Sequence, residues 1–449
     1  MQRALLTLLV LTACTEVSNP KYCASDTDCS DPKKPFCDLN GEFAESGFQD
    51  HACSTRPTDC SIERCGCTAN TPLSCDGDQL VVCGNDGRST TTTTCSLGCS
   101  EEAGPRCFTF EPSNGLGQAL VEAASEGDVT IPPGSVIDTS GGGITDSQGA
   151  TVPVRTIVID QGSTQIRVFI ARSFVIQGAT VRGSYAFAAV ASESILLTDL
   201  LNASAVGVVP GPGAAVGTVT CRGEDTQFLG CSGNDCSNGA GGGGNATVGG
   251  GGGYDGLTLP SGGAAQTGST PLIGGCDGGD QLQGASVLNQ GGGGGGAVQF
   301  VAGRQIQLSS RGLINVAGGG GQATSGGGSA GLVVMEAPTI RIDGGMAGVA
   351  ANGGAGGACD RSAPDGGVTT SRALAPSNCQ YPGGDGGTGL VAATDASRCL
   401  TACFNVQGAR GAGGGAAGRA RFVTREGTVL SSSNPLLSAV VTNESLVRQ

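Results

Sequence analysis

Glycine runs such as 241–244, 249–253 and 291–296 punctuate the chain from Cys236 to Gly418, and they exclude most folds open to it. Glycine in a helix interior is less favourable than alanine by roughly 1 kcal/mol, so this region cannot be mainly helical. Collagen is excluded because glycine does not recur at every third position with proline. Disorder and extended segments of polyproline-II type remain, and the latter pack closely only where side chains are missing.

The net charge of −14 offers no basic face to phosphates, which excludes nucleic acid as a partner. Trp is absent, four Tyr occur, and the one histidine is His51. A Ser or Cys nucleophile needs a nearby base, and His51 lies far in sequence from the repeating region. Matches to Gly-x-Gly-x-x-Gly carry no weight where glycine runs generate them.

Residues 1–13 read as a signal peptide: Arg3 precedes the apolar run Ala4 to Ala13, too short for a mature transmembrane helix. Its end, Leu11-Thr12-Ala13-Cys14, resembles the bacterial lipobox. That resemblance implies a lipidated Cys14 at the mature N-terminus and membrane attachment, with Thr15 favouring the outer membrane or cell surface.

Twenty further cysteines fall into even blocks, as local disulfides require in an oxidising compartment, with the connectivity left open. Twelve (Cys23, Cys29, Cys37, Cys53, Cys60, Cys65, Cys67, Cys75, Cys83, Cys95, Cys99 and Cys107) lie in an acidic module over 14–108. Four more are Cys221, Cys231, Cys236 and Cys276, and the last four Cys359, Cys379, Cys399 and Cys403. Zinc is disfavoured because Cys65-Gly66-Cys67 and Cys95-x3-Cys99 lack matching ligand pairs. Within the module, Gln79 to Cys83 and Arg88 to Cys95 flank Asp86-Gly87, a hairpin signal. The pattern Leu-x-Cys-x-Gly-Asp-x-Leu-Val-x-Cys resembles Cys-rich units that precede repeat domains in myxobacterial surface lipoproteins.

Over 109–449 the reading changes. Leu116, Leu120 and Ala123 share one face of a short helix near 114–126, which Gly127 ends. With the Ile131-Pro132-Pro133-Gly134 that follows, this opening resembles right-handed parallel β-helix proteins of the pectate-lyase-like superfamily, in which such a helix caps the coil. Ala297 to Gly319 aligns with Gly331 to Ala351 at a shift of 34 residues, and a weaker copy begins near Ala420. Each unit reads as short strands between Gly or Asn turns, unable to bury an apolar side until it stacks on a neighbour. The expected fold class is therefore all-β, a right-handed parallel β-helix with Gly- and Cys-rich insertions near 207–296 and 352–415. About seven coils of ~20 residues remain outside the insertions.

Enzymes of such folds act on polysaccharides, and elimination would use Arg or Lys beside carboxylates holding Ca²⁺. No Lys follows Lys34. The candidate catalytic set is Arg167, Arg172 and Arg182 with Glu193 and Asp199, against the plainer reading that these charges mark solvent-facing strand positions. Asp277, Asp280, Asp365 and Asp385 sit in Gly-rich turns resembling Ca²⁺ loops, but the nonapeptide Ca²⁺ repeat is missing, and the favoured expectation is ordinary turns with no metal or other cofactor. Tyr185, Tyr254 and Tyr381 are too scattered for a sugar-binding platform. The expectation is a lipid-anchored envelope protein with a structural, adhesive or ligand-binding role, whose partner is a polysaccharide or another surface protein. A tethered polysaccharide lyase or glycoside hydrolase is the alternative.

Overall fold

Paired cysteines stand where an apolar core would be in the first of two units, Met1–Phe108. The computed structural model of the protein describes residues 23–34, 36–38, 51–54, 67–85, 89–102, 104–162, 164–217, 220–228, 238–253, 259–358, 360–378, 381–397, 410–432 and 434–449. Within the first unit, Cys23–Cys37 and Cys29–Cys53 staple the pair of strands Phe36–Asp38 and Ala52–Ser54. Cys67–Cys83, Cys75–Cys99 and Cys95–Cys107 hold the antiparallel sheet Pro72–Asp76, Gln79–Cys83, Thr90–Thr94 and the pair Cys99–Ser100, Arg106–Cys107. The Sγ atoms of Cys23, Cys29 and Cys53 cluster, but both disulfides consume the thiolates a metal would need.

The second unit, Thr109–Gln449, is nearly all-β and built on a curled, largely parallel sheet with the outline of a half-barrel. Strands Gln165–Ile176, Ala186–Leu197, Ala297–Ala302, Leu332–Glu336, Arg419–Thr424 and Val440–Ser445 each pair in parallel with the next. A second sheet of seven strands includes Ser135–Asp138, Ala179–Arg182, Leu201–Asn202, Leu313–Asn315, Gly348–Ala350 and Leu436–Leu437 in that order. Parallel registry stacks like on like. Phe169, Ala189, Phe300, Met335 and Phe422 form one column, and Phe174, Ile195, Ile306 and Ile340 another. All nine belong to a single buried cluster between the sheets, so each strand's apolar side is covered by its neighbours.

The 34-residue shift needs a correction at two strands. Ala297 pairs with Leu332 and Leu313 with Gly348, a shift of 35, while Gln305 pairs with Thr339 at 34. One residue matters because strand side chains alternate faces. Gly303-Arg304 turns the first corner where Pro338 alone turns the second, which restores the facing.

The short helix Gly117–Glu122 packs its Ala119, with Leu116 and Ala123 beside it, onto the strands Gln165–Ile176 and Ala186–Leu197. Ala186, Ala188 and Val190 are buried yet alternate with the core-facing Phe187, Ala189 and Ala191, so this helix covers the outer face of the sheet. The chain reaches it along that same face. Phe110 bridges to Arg448, Ser113 and Asn114 contact Glu336 and Gln299, and the segment 109–116 thus straps the last strands to the first.

Three insertions leave the second sheet at the same corner, after Asn202, Asn315 and Ala350, and return as Ala297, Leu332 and Arg419. The middle one, short enough to hide inside the 34-residue repeat, went unrecognised in the sequence. Together they form a sheaf of extended glycine segments. The amides of Gly239 and Gly242 donate to Gly253 and Gly250, those of Ala240 and Gly243 to Thr324 and Gly327, and those of Gly241 and Gly244 to Glu224 and Cys221. Gly326 and Ser329 likewise donate to Gly279 and Cys276, Gly327 and Ala330 to Gly413 and Ala416, and Gly328 and Gly331 to Gly319 and Val316. Partners recur at every third residue, the period of polyproline II. Its backbone groups, unpaired within one such helix, are satisfied here by neighbouring segments, which is the requirement for burying them.

Ordering so much glycine carries a large entropic cost, at roughly 1–2 kcal/mol per residue. Cys221–Cys276 offsets part of it by closing 55 residues of the first insertion. Replacing both cysteines by serine is expected to lower stability by about 3 kcal/mol. Urea unfolding followed by circular dichroism is the measurement, since the chain has no Trp.

Candidate functional site

The charged residues of the strands are spent in pairs. Arg172 grips Asp128 through Nε at 2.9 Å and Nη2 at 2.5 Å, and the Asp128 carboxyl is held below its ordinary value by that hydrogen bond. Glu193 takes Arg304 at 2.9 Å and Asp199 takes Arg311 at 2.7 Å. Arg155 pairs with Glu122 and Glu126, and Arg341 with Asp343. Arg182 is exposed and makes no side-chain hydrogen bond to a described residue. Within the candidate set Arg167, Arg172, Arg182, Glu193 and Asp199, each carboxylate therefore pairs with an arginine outside the set, Arg304 or Arg311 in the turns beside the strands, and Arg172 pairs with Asp128.

The four aspartates considered for Ca²⁺ are likewise occupied. Asp277 accepts the Gly294 amide at 2.8 Å, and Asp280 accepts Gly291 N and Arg222 Nη2, both at 2.7 Å. Asp365 accepts Gly207 and Gly320 amides, and Asp385 accepts Ala375 N. They fasten sheaf segments to one another, and no acidic cluster of metal-site geometry exists among the described residues.

Two polar assemblies remain. In the first, Glu336 is 3% exposed under the 109–116 strap. Its Oε2 accepts Ser113 N at 3.0 Å and Gln299 Nε2 at 2.8 Å, and its Oε1 accepts Arg421 Nη1 at 3.0 Å. Arg421 also forks onto Glu444 at 3.0 and 2.7 Å. Burial pushes the Glu336 carboxyl above its usual range, against the pull of Arg421, Ser113 and Gln299. Three donors face this carboxylate, so a Glu336→Gln amide must turn its NH2 toward one of them. A loss of about 2 kcal/mol is expected. The pH dependence has a definite sign. The native state keeps this proton to higher pH than the unfolded chain, so the wild-type contribution falls as pH rises from about 4.5 through the raised native value. The deficit of the variant should accordingly shrink between pH 4.5 and 7, as read from urea midpoints.

The second assembly is an open groove of about 360 Å³. Asp160, Thr164 and Gln165, at the turn joining antiparallel strands Arg155–Asp160 and Gln165–Ile176, line one side with Ser184 and Tyr185. Ala214, Ala215, Val216 and Ile273, from the first insertion, supply an apolar wall. The Arg167 guanidinium lies 5.6 Å from the centre of the Tyr185 ring and is fixed by Thr139 O and Ser140 O, both at 2.9 Å. One Asp160 oxygen accepts Gly162 N at 2.8 Å. The other, together with the Thr164 and Tyr185 hydroxyls and the Gln165 amide, makes no hydrogen bond within the described chain. The volume falls in the ordinary ligand-pocket range of ~300–1,000 Å³.

Of the residues singled out in sequence, Tyr185 lines this groove and Arg167 lies against its ring. Asp160, Thr164 and Gln165 were missed because the wall opposite them comes from a distant insertion, and no local pattern announces that meeting. Cys14 and Tyr254 lie outside the described residues, as do Cys60, Cys65, Cys231, Cys236, Cys359, Cys379, Cys399 and Cys403. No helix among the described residues is long and apolar enough to cross a membrane. Comparison with protein-family models, curated proteins and solved structures gave no match.

Proposed function

We propose that the chain is a lipid-anchored cell-envelope protein, tethered through Cys14 at the outer membrane or cell surface, that binds a surface polysaccharide. On this reading the stacked strands of the second unit are coils of a right-handed parallel β-helix. The parallel pairing supports this, and the near-universal right hand of parallel crossovers supplies the handedness. The arrangement would resemble myxobacterial-type surface lipoproteins in joining a Cys-rich module to a repeat domain.

The observation that carries the binding reading is the groove at Asp160 and Tyr185. A tyrosine ring, a carboxylate oxygen, two hydroxyls and an amide converge there with their hydrogen-bonding capacity unspent, as a polar ligand requires. Binding is favoured over lyase or hydrolase chemistry because the carboxylates of the expected catalytic set are neutralised one by one, leaving no paired acid and base. Two measurements test the proposal. Mass spectrometry of the mature protein should find an acylated Cys14, and an uncleaved Met1 would defeat the anchor. On a glycan array, Tyr185→Ala should lose a signal that wild type gives. Product formation from a glycan, abolished by Arg167→Ala, would instead establish the enzyme.

A further inference from the structure

A second cavity, of about 220 Å³, opens where the sheaf meets the last strands. Leu332, Ala420, Val440 and Ala246 give it an apolar lining, and Ser269 and Thr442 add hydroxyls. Its charge is unusual for so acidic a chain. Arg419 and Arg421 both line it, against the single carboxylate Glu444, which Arg421 already holds through two hydrogen bonds.

Arg419 has no acid. Nε donates to Asn245 Oδ1 at 2.6 Å, Nη1 to the Gly268 carbonyl, and Nη2 to Gln266 Oε1 at 3.3 Å. All three acceptors are neutral. They take three of the five N–H groups that a guanidinium carries and leave one on each terminal nitrogen. Either free N–H can donate to a carboxylate oxygen as a charge-assisted hydrogen bond. Burial without a counter-charge lowers the Arg419 pKa to about 10, and an anion in the cavity would reverse that penalty. Asn245, itself fully buried, anchors Arg419 by donating to the carbonyls of Ala330 and Gly331. The guanidinium is thus fixed before any ligand arrives.

We propose that this cavity binds a compact monocarboxylate, its charge on Arg419 and its apolar body against Leu332, Ala420 and Val440. The volume lies below the ~300 Å³ at which pockets for drug-sized ligands begin, so the ligand is a single small molecule. The site is independent of the Tyr185 groove. Calorimetric titration of the full chain with hexanoate, and with hexanamide as the uncharged analogue, tests it. Hexanoate should bind saturably at one site and hexanamide at least tenfold more weakly. Arg419→Gln should weaken hexanoate at least tenfold. Thr442→Trp, at an exposed strand position, should block the cavity while leaving the hydrogen bonds of Arg419 in place, and so decides the matter should Arg419→Gln fail to fold. The proposal is overturned by no saturable binding of hexanoate, by equal binding of hexanamide, or by hexanoate affinity within twofold of wild type in a folded variant.

Discussion

Gly328→Ala is expected to destabilise the second unit by about 4 kcal/mol or more, although it adds one methyl group at a residue whose φ is not in the left-handed region. A Cβ at that position would lie 2.1 Å from the carbonyl oxygen of Gly293 and 2.5 Å from its carbon. Both are backbone atoms of a segment that is itself hydrogen-bonded, since Gly293 N donates to Gly207 O at 2.9 Å. Neither can rotate away as a side chain would. Ordinary overpacking costs roughly 1–3 kcal/mol because side chains yield, and here nothing yields. Gly143→Ala is the control. Its Cβ meets nothing within 4 Å, and its φ is also outside the left-handed region, so restricting the unfolded chain should leave stability unchanged or raise it by up to ~1 kcal/mol. Urea midpoints of the two variants should move apart, and equal small shifts would mean that the sheaf is not close-packed.

This contrast shows what was legible in the glycine runs. Their density excluded helix and narrowed the choice to disorder or close-packed extended segments, because a missing side chain is visible in the sequence. Which run lies against which was not visible. Gly242 and Gly250 are neighbours in sequence, but Gly327 and Gly413 join through contacts that no side chain specifies. A glycine carries no chemical label, so backbone hydrogen bonds alone select among near-identical partners, and the three corners from which the insertions leave the sheet decide which segments can meet.

The strands were easier to read. Their apolar alternation and the repeated unit from Ala297 to Ala351 gave the stacking, whereas the slip from 34 to 35 residues depended on how Gly303-Arg304 and Pro338 turn their corners. The charged positions are harder to read for a related reason. Arginines on successive strands suggest a cluster, but an exposed Arg beside an Asp or Glu of the adjacent strand forms a pair first, as Arg304 does with Glu193. Such exposed pairs add only about 0–1 kcal/mol each. The groove and the Arg419 cavity, in contrast, arise where insertions return onto the strands, and contacts of that range leave no local periodicity.

Phe187→Ala is the second large change, with an expected loss of about 4 kcal/mol. The ring is fully buried, 5.5 Å from Phe169 on one neighbouring strand and 6.2 Å from Phe300 on the other, the latter at an interplanar angle of 81°. Removing it leaves a cavity between strands whose backbones are locked by parallel pairing on both sides, which limits collapse. Coupling carries the sharper test. Each of these strands pairs only with its immediate neighbours, so Phe187→Ala combined with Phe300→Ala should depart from additivity by about 1 kcal/mol, the scale of an edge-to-face ring pair. Combined with Phe422→Ala, three strands away or ~14 Å at ~4.8 Å per strand, it should be additive within ~0.5 kcal/mol. Coupling that stops at the adjacent strand is the energetic signature of a stack held by nearest neighbours. Coupling of equal size to Phe422 would mean that the apolar columns act as one indivisible core and not as a stack of strands each held by its neighbours.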